Sequence, residues 1–446
     1  MNSAPNSPRS ESPASRASSS RRAFLGTLSG TAALLAAGQG PALAAPRRGP
    51  APRKKIALVG TIMNTHSHAQ HFIDRHLMGF AWGNGWHAPA VDLVSLYLDQ
   101  FPANDLGRAR AKQFNLPLYP SIAETLCCGG SKLAVDGVVI IGEHGAYPRN
   151  EKGQTLYPRH RFFKEVVRVF ENSGRAVPVF NDKHLSTDWA QCTEMVADSK
   201  RLGFPFLAGS SLPVTWRLPS IDLPYGVPLK ESLCACYGGV DSYDFHGLET
   251  AQCMSERRRG GEKGITSVHA RRGAKVWETI DGRPDTQRLL VAAVSRSHNL
   301  PVVNGFPTGP VTYEWARKTF DNPIAYFIDH VDGLRTTMLL LPIRDFNYAG
   351  LRADNDRIVA CQMYLPMPTH GSTTADFFNP LVRHIERMVI ENRAPYPVER
   401  TLLTSGMTLA AVDSLHRGEV PVATPEMAIA YRAPRDSQFW RAESPE

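Results

Sequence analysis

The amino-acid sequence predicts an α/β fold in which a doubly wound parallel sheet is followed by a second domain with a mainly antiparallel open sheet. Residues 55–212 alternate short apolar runs with amphipathic segments, which is typical of parallel strands joined by helices. After Pro213 the runs alternate apolar and polar residues, as in sheets with one exposed face. An apolar fraction of 42% in 446 residues is enough for the cores of two such domains.

Five apolar runs predict the parallel strands of the first domain. The run at residues 55–60 is uninterrupted and ends in Gly60, as expected for a strand that is buried on both faces. Amphipathic segments that end at glycine, such as residues 159–174, predict the helices between the strands. The remaining strands are expected at residues 91–100, 135–145, 176–186 and 204–213, and the remaining helices at residues 103–116, 121–130 and 188–203.

The N-terminal segment is expected to be an export signal and a linker rather than part of the fold. Arg21 and Arg22 precede a short apolar run, and the small residues 42–44 are typical of a cleavage site. This order indicates a twin-arginine signal peptide at residues 1–45, followed by a basic linker at residues 46–54. We therefore expect the twin-arginine machinery to export the protein to the periplasm or another extracytoplasmic space. No stable membrane span is expected, because the apolar run is too short.

The formal net charge of +8 does not indicate a nucleic-acid-binding surface. Residues 1–55 carry nine basic residues and one acid, whereas the rest of the chain carries 41 residues of each sign. A surface that follows a phosphate backbone needs a concentrated basic face. We therefore expect no nucleic-acid partner.

Polar side chains follow four of the predicted parallel strands. Ligands of doubly wound sheets bind outside the carboxyl ends of the strands, where such side chains meet. We therefore expect a single polar crevice at this edge. The residues concerned are Asn64, Thr65, His66 and His68 after the first strand, Asp99 after the second, Glu143 and His144 after the third, and Asp182, Lys183 and His184 after the fourth.

Two kinds of cofactor are compatible with this crevice. A dinucleotide would place its pyrophosphate at the turn after Gly60, where Asn64 and Thr65 stand instead of further glycines. Asp99 would accept a hydrogen bond from a ribose hydroxyl, although it follows Gly60 by 39 positions instead of about 20. The alternative is a divalent metal ion. Its ligands would be His66, His68, His144 and His184, because the seven cysteines lack zinc-site spacing.

The order of these features resembles the Gfo/Idh/MocA oxidoreductase family over residues 55–420. The start is a strand that ends at Gly60, with acidic Asp99 after the next strand. Another stretch, GGVDSYDFHGLETAQCM (238–254), resembles an altered copy of the family motif D-x-G-x-H-x-x-D. Three more stretches carry the likeness: VDGVVIIGEH (135–144), SGRAVPVFNDKHLS (173–186) and YPVERTLLTSGMTLAAVDSLHRGEVPV (396–422).

The resemblance implies a Rossmann-like nucleotide-binding domain at residues 55–212 and an α/β substrate and oligomerisation domain at residues 213–446. It implies NAD or NADP as cofactor and a sugar or sugar-derived polyol as substrate, and it allows a homo-oligomer formed through the second sheet. Lys183 would polarise or deprotonate a substrate hydroxyl. His246 would be the general acid or base, oriented by Asp244 or Glu249. The cofactor would contact Gly60, Asn64, Thr65, His66, Asp99, Glu143, His144 and Asp182.

Departures from the family pattern leave other functions open. The glycine-rich turn is reduced to Gly60, the family's EKP is replaced by DKH, and residues 146–160 form an insertion after the third strand. Trp216, Arg217 and His160 are expected to contact the substrate. One alternative is a cofactor-free relative that binds carbohydrate, and the other is a metal-dependent hydrolase or lyase that uses the same crevice.

Overall fold

The computed structural model describes residues 52–300, 310–365 and 374–441. The predicted signal peptide at residues 1–45 lies outside these ranges, as does the predicted linker up to residue 51. In chain order the first part comprises β1 (Lys55–Gly60), α1 (His68–Met78), β2 (Phe80–Trp82), β3 (Gly85–His87), β4 (Asp92–Leu98), α2 (Gly107–Gln113), α3 (Ile122–Cys127), β5 (Gly137–Ile141), α4 (Arg159–Ser173), β6 (Val179–Asp182), α5 (Trp189–Leu202) and β7 (Phe206–Gly209).

The first sheet is wholly parallel and has the strand order β4–β1–β5–β6–β7. Alternate residues of β1 enter two different hydrophobic cores, Ile56 and Leu58 on one face and Ala57 and Val59 on the other. This burial on both faces explains why the strand sequences are continuously apolar. The strand order reverses between β1 and β5, and ligands bind at such a switch point.

Side-chain caps fix where several helices begin after their strands. Ser67 accepts a hydrogen bond from the N–H of Gln70 at the start of α1, and Asp188 accepts one from Gln191 at the start of α5. The β2–β3 hairpin lies between α1 and β4. It accounts for the long sequence distance between Gly60 and Asp99, as the sequence suggested.

The second part adds a mixed sheet and further helices. Its elements are β8 (Arg217–Leu218), β9 (Leu229–Cys236), α6 (Asp244–Ser255), β10 (Ile265–Arg272), α7 (Ala274–Asp281), α8 (Pro284–Val294), α9 (Tyr313–Thr319), β11 (Ile324–His330), β12 (Arg335–Leu340), β13 (Phe346–Arg352), β14 (Ile358–Met363), a 3-10 turn (Asp376–Phe378), α10 (Asn379–Glu391), α11 (Glu399–His416), β15 (Val422–Ala423) and a second 3-10 turn (Pro425–Met427).

The second sheet has the order β15–β10–β11–β12–β9–β13–β14–β8. Its pairings are antiparallel except for the parallel pair β12–β9. The predicted fold class is therefore confirmed: an α/β protein with a Rossmann-like parallel sheet and a mainly antiparallel second sheet. The largest hydrophobic cluster among the described residues includes Phe180 of the first sheet and Tyr348 of the second. Because the sheets share this core, the boundary between residues 212 and 213 stays a prediction.

Helix α11 connects the two sheets through small and hydroxylated side chains. Thr401 donates a hydrogen bond to the Ala208 carbonyl at 2.7 Å, and Ser405 accepts one from the Leu185 N–H at 3.1 Å. Near the other end, Ser414 accepts from the N–H of Ala270 in β10 at 2.9 Å. These contacts fix the ends of β6 and β7 relative to the second sheet.

Two further features concern the cysteines and the membrane. All seven cysteines are unpaired, and six of them are buried, as is usual for free cysteine side chains. Within the described ranges, no helix combines the length and the apolar character needed to cross a membrane.

Candidate functional site

A cavity of about 150 Å³ lies at the carboxyl edge of the parallel sheet. The predicted convergence of polar residues is found here, because side chains that follow β1, β5 and β6 meet α6 of the second part. Five histidines line the cavity: His66, His68, His71, His144 and His246. The charged groups Lys183 and Glu143 also line it, and Tyr243, Phe377 and Phe378 supply aromatic walls.

Lys183 lies at the centre of the polar cluster. It follows the last residue of β6 with a left-handed backbone conformation (φ 66°), and its N–H donates to the Gly209 carbonyl of β7 at 3.1 Å. This geometry turns the side chain towards the second part of the chain. The Nζ atom lies 2.8 Å from Nε2 of His246 and 3.5 Å from Oε1 of Glu143.

His246 lies in the first turn of α6 and is buried. Burial and the neighbouring charge of Lys183 hold the pKa of His246 well below 6.5, so the imidazole is neutral at physiological pH. Because an ammonium group can only donate, Nε2 of His246 accepts and Nδ1 carries the proton. Nδ1 has no hydrogen-bond partner among the described residues. The pair therefore has one donor that a ligand oxygen could use.

Glu143 supplies the counter-charge for Lys183. Its second carboxylate oxygen accepts from Arg159 at 2.6 Å. Burial acts to raise the pKa of Glu143, but the charges of Lys183 and Arg159 outweigh it and hold the pKa well below 4.5. Arg159 also lies 3.2 Å from Nε2 of His184, a buried imidazole whose pKa is lowered to about 3 by burial and by Arg159. The cluster thus contains fixed ionic groups and neutral imidazoles.

The remaining cavity histidines lie around the start of α1. His68 is hydrogen-bonded to Oδ2 of the buried Asp182 at 2.7 Å. Burial lowers the pKa of His71 to about 3, and burial followed by the charge of His68 lowers the pKa of His144 to about 4. His71 also stacks on Phe378 with ring centroids 5.2 Å apart. The neutral imidazoles of His71 and His144 can both donate and accept, so they suit an uncharged hydroxylated ligand.

The turn after β1 differs from a glycine-rich phosphate loop. Seven residues separate Gly60 from the start of α1, and the N–H groups of Asn64, His66 and Ser67 bond within the turn or to the first turn of α1. The Asn64 N–H donates to the Ser67 hydroxyl at 3.1 Å, and the His66 N–H donates to the Gln70 side chain at 2.6 Å. Thr65 is exposed. The helix N-terminus remains able to attract an anion, but with fewer free backbone donors.

Asp99 stands at the end of β4, where an acidic residue meets a ribose in dinucleotide-binding sheets. Its Oδ1 accepts from Tyr97 at 2.6 Å and from Arg161 at 2.8 Å, and its Oδ2 accepts from Tyr147 at 2.8 Å. Burial acts to raise the pKa of Asp99, but these hydrogen bonds outweigh it and lower the pKa. The carboxylate is therefore ionised and largely satisfied by the chain itself.

The two carboxylates that were expected to orient His246 have other hydrogen-bond partners. Asp244 accepts from the N–H groups of Asp241, Ser242 and Phe245 around the start of α6, and from the Tyr326 hydroxyl at 2.8 Å. Glu249 is buried and accepts from the N–H of Ser210 at 3.0 Å. Neither carboxylate is therefore placed to orient His246.

The predicted substrate residues also lie elsewhere. Arg217 is buried, 3.0 Å from the Asp222 carboxylate, and its guanidinium packs on Phe439. Trp216 packs edge-to-face against other aromatic rings, and His160 is hydrogen-bonded to Glu194 at 2.7 Å on the outer side of α4. None of the three lines the cavity. Their side chains contact other parts of the chain.

The alternative metal set is not assembled. Among the described residues, no three His, Cys, Asp or Glu side chains are arranged to hold a metal ion. His184 is directed towards Arg159 and the Ser186 carbonyl, while His68 is engaged by Asp182. The four histidines therefore do not share one centre.

Several cavity residues were not predicted. His71 follows His68 by one helical turn, and Tyr243 precedes His246 by three positions, so both could have been inferred from helical spacing. Ser211, Ser242, Phe377 and Phe378 had no comparable signal. They reach the cavity only through the packing of the second part against the first.

Glu249 makes a pH-dependent contribution to stability that can be measured. Burial raises its pKa to about 7, above the ordinary 4.5, so the folded state holds the proton more tightly than the unfolded state. The free energy of unfolding contributed by Glu249 is therefore greatest below pH 4.5 and is lost as the pH rises towards 7. We expect Glu249→Gln to be more stable than the wild type at pH 8, by up to about 3 kcal/mol, and similar to it at pH 4. Urea unfolding at both pH values tests this, and an equal difference at both values would contradict it.

The chain shares its fold with solved structures of Gfo/Idh/MocA type, as the resemblance implied. Two solved structures share it. GenD2 from gentamicin A biosynthesis, in complex with NAD, has a TM-score of 0.50 and 12% identity, over 83% of this chain and 96% of that chain. The myo-inositol dehydrogenase from Lactobacillus casei, in complex with NAD(H) and myo-inositol, has a TM-score of 0.51 and 10% identity, over 83% of this chain and 97% of that chain. At this identity the likeness establishes the fold alone. No family model and no curated protein matches the sequence.

Proposed function

We propose that the protein is an NAD- or NADP-dependent oxidoreductase that acts on a small sugar or sugar-derived polyol. The observation that carries the proposal is the Lys183–His246 pair, 2.8 Å apart, beside a polar cavity at the carboxyl edge of a doubly wound sheet. The two solved structures that share the fold contain NAD or NAD(H), and the myo-inositol dehydrogenase contains myo-inositol as well. The neutral histidines of the cavity suit the hydroxyl groups of such a substrate.

A nicotinamide dinucleotide would be held by Asp99, the N-terminus of α1 and the cavity residues, and its contact with Asp99 would compete with Tyr147. Asp99 has one lone-pair site left on Oδ2 for a ribose hydroxyl, and the N-terminus of α1 would attract the pyrophosphate. Lys183 and His144 line the cavity that would hold the nicotinamide end and the substrate. When bound, the nicotinamide would accept or supply a hydride.

The chain's own groups would move the accompanying proton. In the reducing direction the Nδ1–H of His246 would donate to the substrate carbonyl oxygen, while Nε2 takes a proton from the Lys183 ammonium group. The oxidising direction reverses both transfers. The carboxylate of Glu143 is ionised throughout the neutral range and supplies a negative charge 3.5 Å from Nζ of Lys183.

The place of action that we propose is the cell envelope. This part of the proposal is supported by the twin-arginine pattern within residues 1–45, which lie outside the described ranges. The pathway carries folded proteins, so a cofactor would be acquired before export. Replacement of Arg21 and Arg22 by lysine should then leave the protein in the cytoplasm.

The cofactor proposal is tested on protein purified from its native compartment. Denaturation followed by mass spectrometry of the released small molecules should detect a nicotinamide dinucleotide. If the protein is isolated without one, adding NAD(H) or NADP(H) should raise the melting temperature, because a ligand of the folded state stabilises it. Absence of both results would refute the oxidoreductase.

A second candidate is a cofactor-free relative that binds carbohydrate. Two observations favour it: N–H groups of the turn are used internally, and the chain's own Tyr147 bonds Asp99. In that case small polyols would raise the melting temperature, while no nicotinamide nucleotide would do so. The same two measurements therefore separate the candidates.

A further inference from the structure

The insertion after β5 is anchored by polar contacts to both parts of the chain. We call residues 145–158 the strap. Ala146 exchanges two hydrogen bonds with the side chain of Gln100, each 2.9 Å long. Further along, Gln154 donates to Asp241 at 2.9 Å, and Lys152 forms an ion pair with Asp413 at 2.8 Å. These anchors hold the strap to both parts of the chain.

The Tyr147 side chain lies near the carboxyl end of β4, where its hydroxyl contacts Asp99. A Cβ atom on Gly145 would lie 2.8 Å from Cε2 of Tyr147 and 3.4 Å from Cγ2 of Ile62, which belongs to the turn after β1. The ring therefore lies close to this turn, while its hydroxyl reaches Oδ2 of Asp99 at 2.8 Å. Tyr157 packs edge-to-face against the ring with centroids 5.7 Å apart.

The Tyr147 hydroxyl makes the hydrogen bond that a ribose hydroxyl would make. In doubly wound sheets the acidic residue after the second strand accepts from the ribose of the adenosine half. Here Oδ1 of that residue already has two donors, so Oδ2 is the oxygen left for a ligand, and Tyr147 occupies one of its two acceptor positions. A bound adenosine would have to displace the ring or bind beside it.

We propose that Tyr147 determines cofactor specificity by excluding the adenosine half of the dinucleotide, so that the crevice recognises mainly the nicotinamide mononucleotide half. The inference rests on the proposed function, since it concerns the same site. It assigns the ligand class as a nicotinamide nucleotide whose adenosine part contributes little affinity. The smaller mononucleotide lacks the portion that meets Tyr147, and Lys183 and the cavity remain accessible to it.

Calorimetric binding of NADH and of reduced nicotinamide mononucleotide to the full-length protein tests the proposal. In the wild type the two dissociation constants should be similar. In Tyr147→Ala, NADH should bind at least about tenfold more tightly, because a ribose hydroxyl replaces the lost bond to the ionised carboxylate. Mononucleotide binding should stay unchanged. Tyr147→Phe keeps the ring and removes the hydroxyl. A gain in NADH affinity smaller than that of Tyr147→Ala would separate the effect of the hydroxyl from that of the ring.

Tyr97→Phe is the matched control. It removes a hydroxyl from the same carboxylate, but from Oδ1 and from a ring that packs on Phe162 of α4. We expect little change in NADH binding. Weaker or unchanged NADH binding in Tyr147→Ala would overturn the specificity role. Binding of neither nucleotide by any variant would instead refute the proposed function, and this inference with it.

Discussion

Replacing Lys183 by methionine is expected to lower the turnover of any polyol substrate by at least about 100-fold, the lower range for loss of general acid–base catalysis. Methionine keeps the length of the side chain but cannot supply the proton that passes to Nε2 of His246 at 2.8 Å. The measurement is hydride transfer with a panel of polyols, followed by the absorbance of reduced nicotinamide. Nucleotide binding should persist in the variant.

A readout beyond activity distinguishes chemistry from structure at this position. The charge of Lys183 helps to hold the pKa of His246 down, second only to burial, so its removal should raise that pKa. The acidic limb of the pH–rate profile should then move to higher pH. Lys164→Met is the control. Lys164 on α4 forms ion pairs with Glu194 and Asp198 on α5, and it lies outside the cavity. Undiminished turnover in Lys183→Met would remove Lys183 from the reaction.

Replacing Glu143 by glutamine is expected to lower the free energy of unfolding by about 3 kcal/mol, the lower value for removing one partner of a buried ion pair. Arg159 and Lys183 would both remain buried after losing the carboxylate that contacts them at 2.6 Å and 3.5 Å. Urea unfolding at pH 7 measures the loss. The difference from the wild type should shrink as the pH falls below 4.5, because the lowered pKa of Glu143 makes its contribution disappear only in acid.

The control for Glu143 is the exposed ion pair of Glu194 on α5. Glu194 contacts Lys164 at 2.7 Å with nearly half of its side chain exposed. Glu194→Gln should cost less than about 1 kcal/mol, as for other exposed pairs. If both variants lost the same free energy of unfolding, burial would not increase the contribution of the Glu143 ion pairs to stability.

Much of the fold and part of the site could be read from local sequence patterns. Continuous apolar runs predicted the parallel strands because a strand covered on both faces excludes polar side chains. Since parallel strands end at one edge, the polar residues that follow them were expected to converge, and Lys183, Glu143 and His144 do so around the cavity. His246 joins them from the altered second-domain motif.

The sequence did not predict which partner each polar side chain has. Asp244 and His246 are two residues apart, yet Asp244 accepts from Tyr326 while His246 contacts Lys183, because nearby helical side chains point in different directions. Arg217 follows the first sheet as expected, but the packing of Phe439 from the far end of the chain decides its direction. Such contacts depend on segments that are distant in sequence.

The sequence by itself determined the α/β architecture, the polar edge of the parallel sheet and the candidacy of Lys183 and His246, because hydrophobic periodicity and strand ends are local properties. Only the tertiary structure decided that Glu143 lies beside Lys183 and that Tyr147 bonds Asp99. It also decided that Asp244 bonds Tyr326 and that Glu249 bonds Ser210. These outcomes depend on how side chains from distant segments fill shared space. Their directions are fixed by packing and burial, which no local pattern encodes.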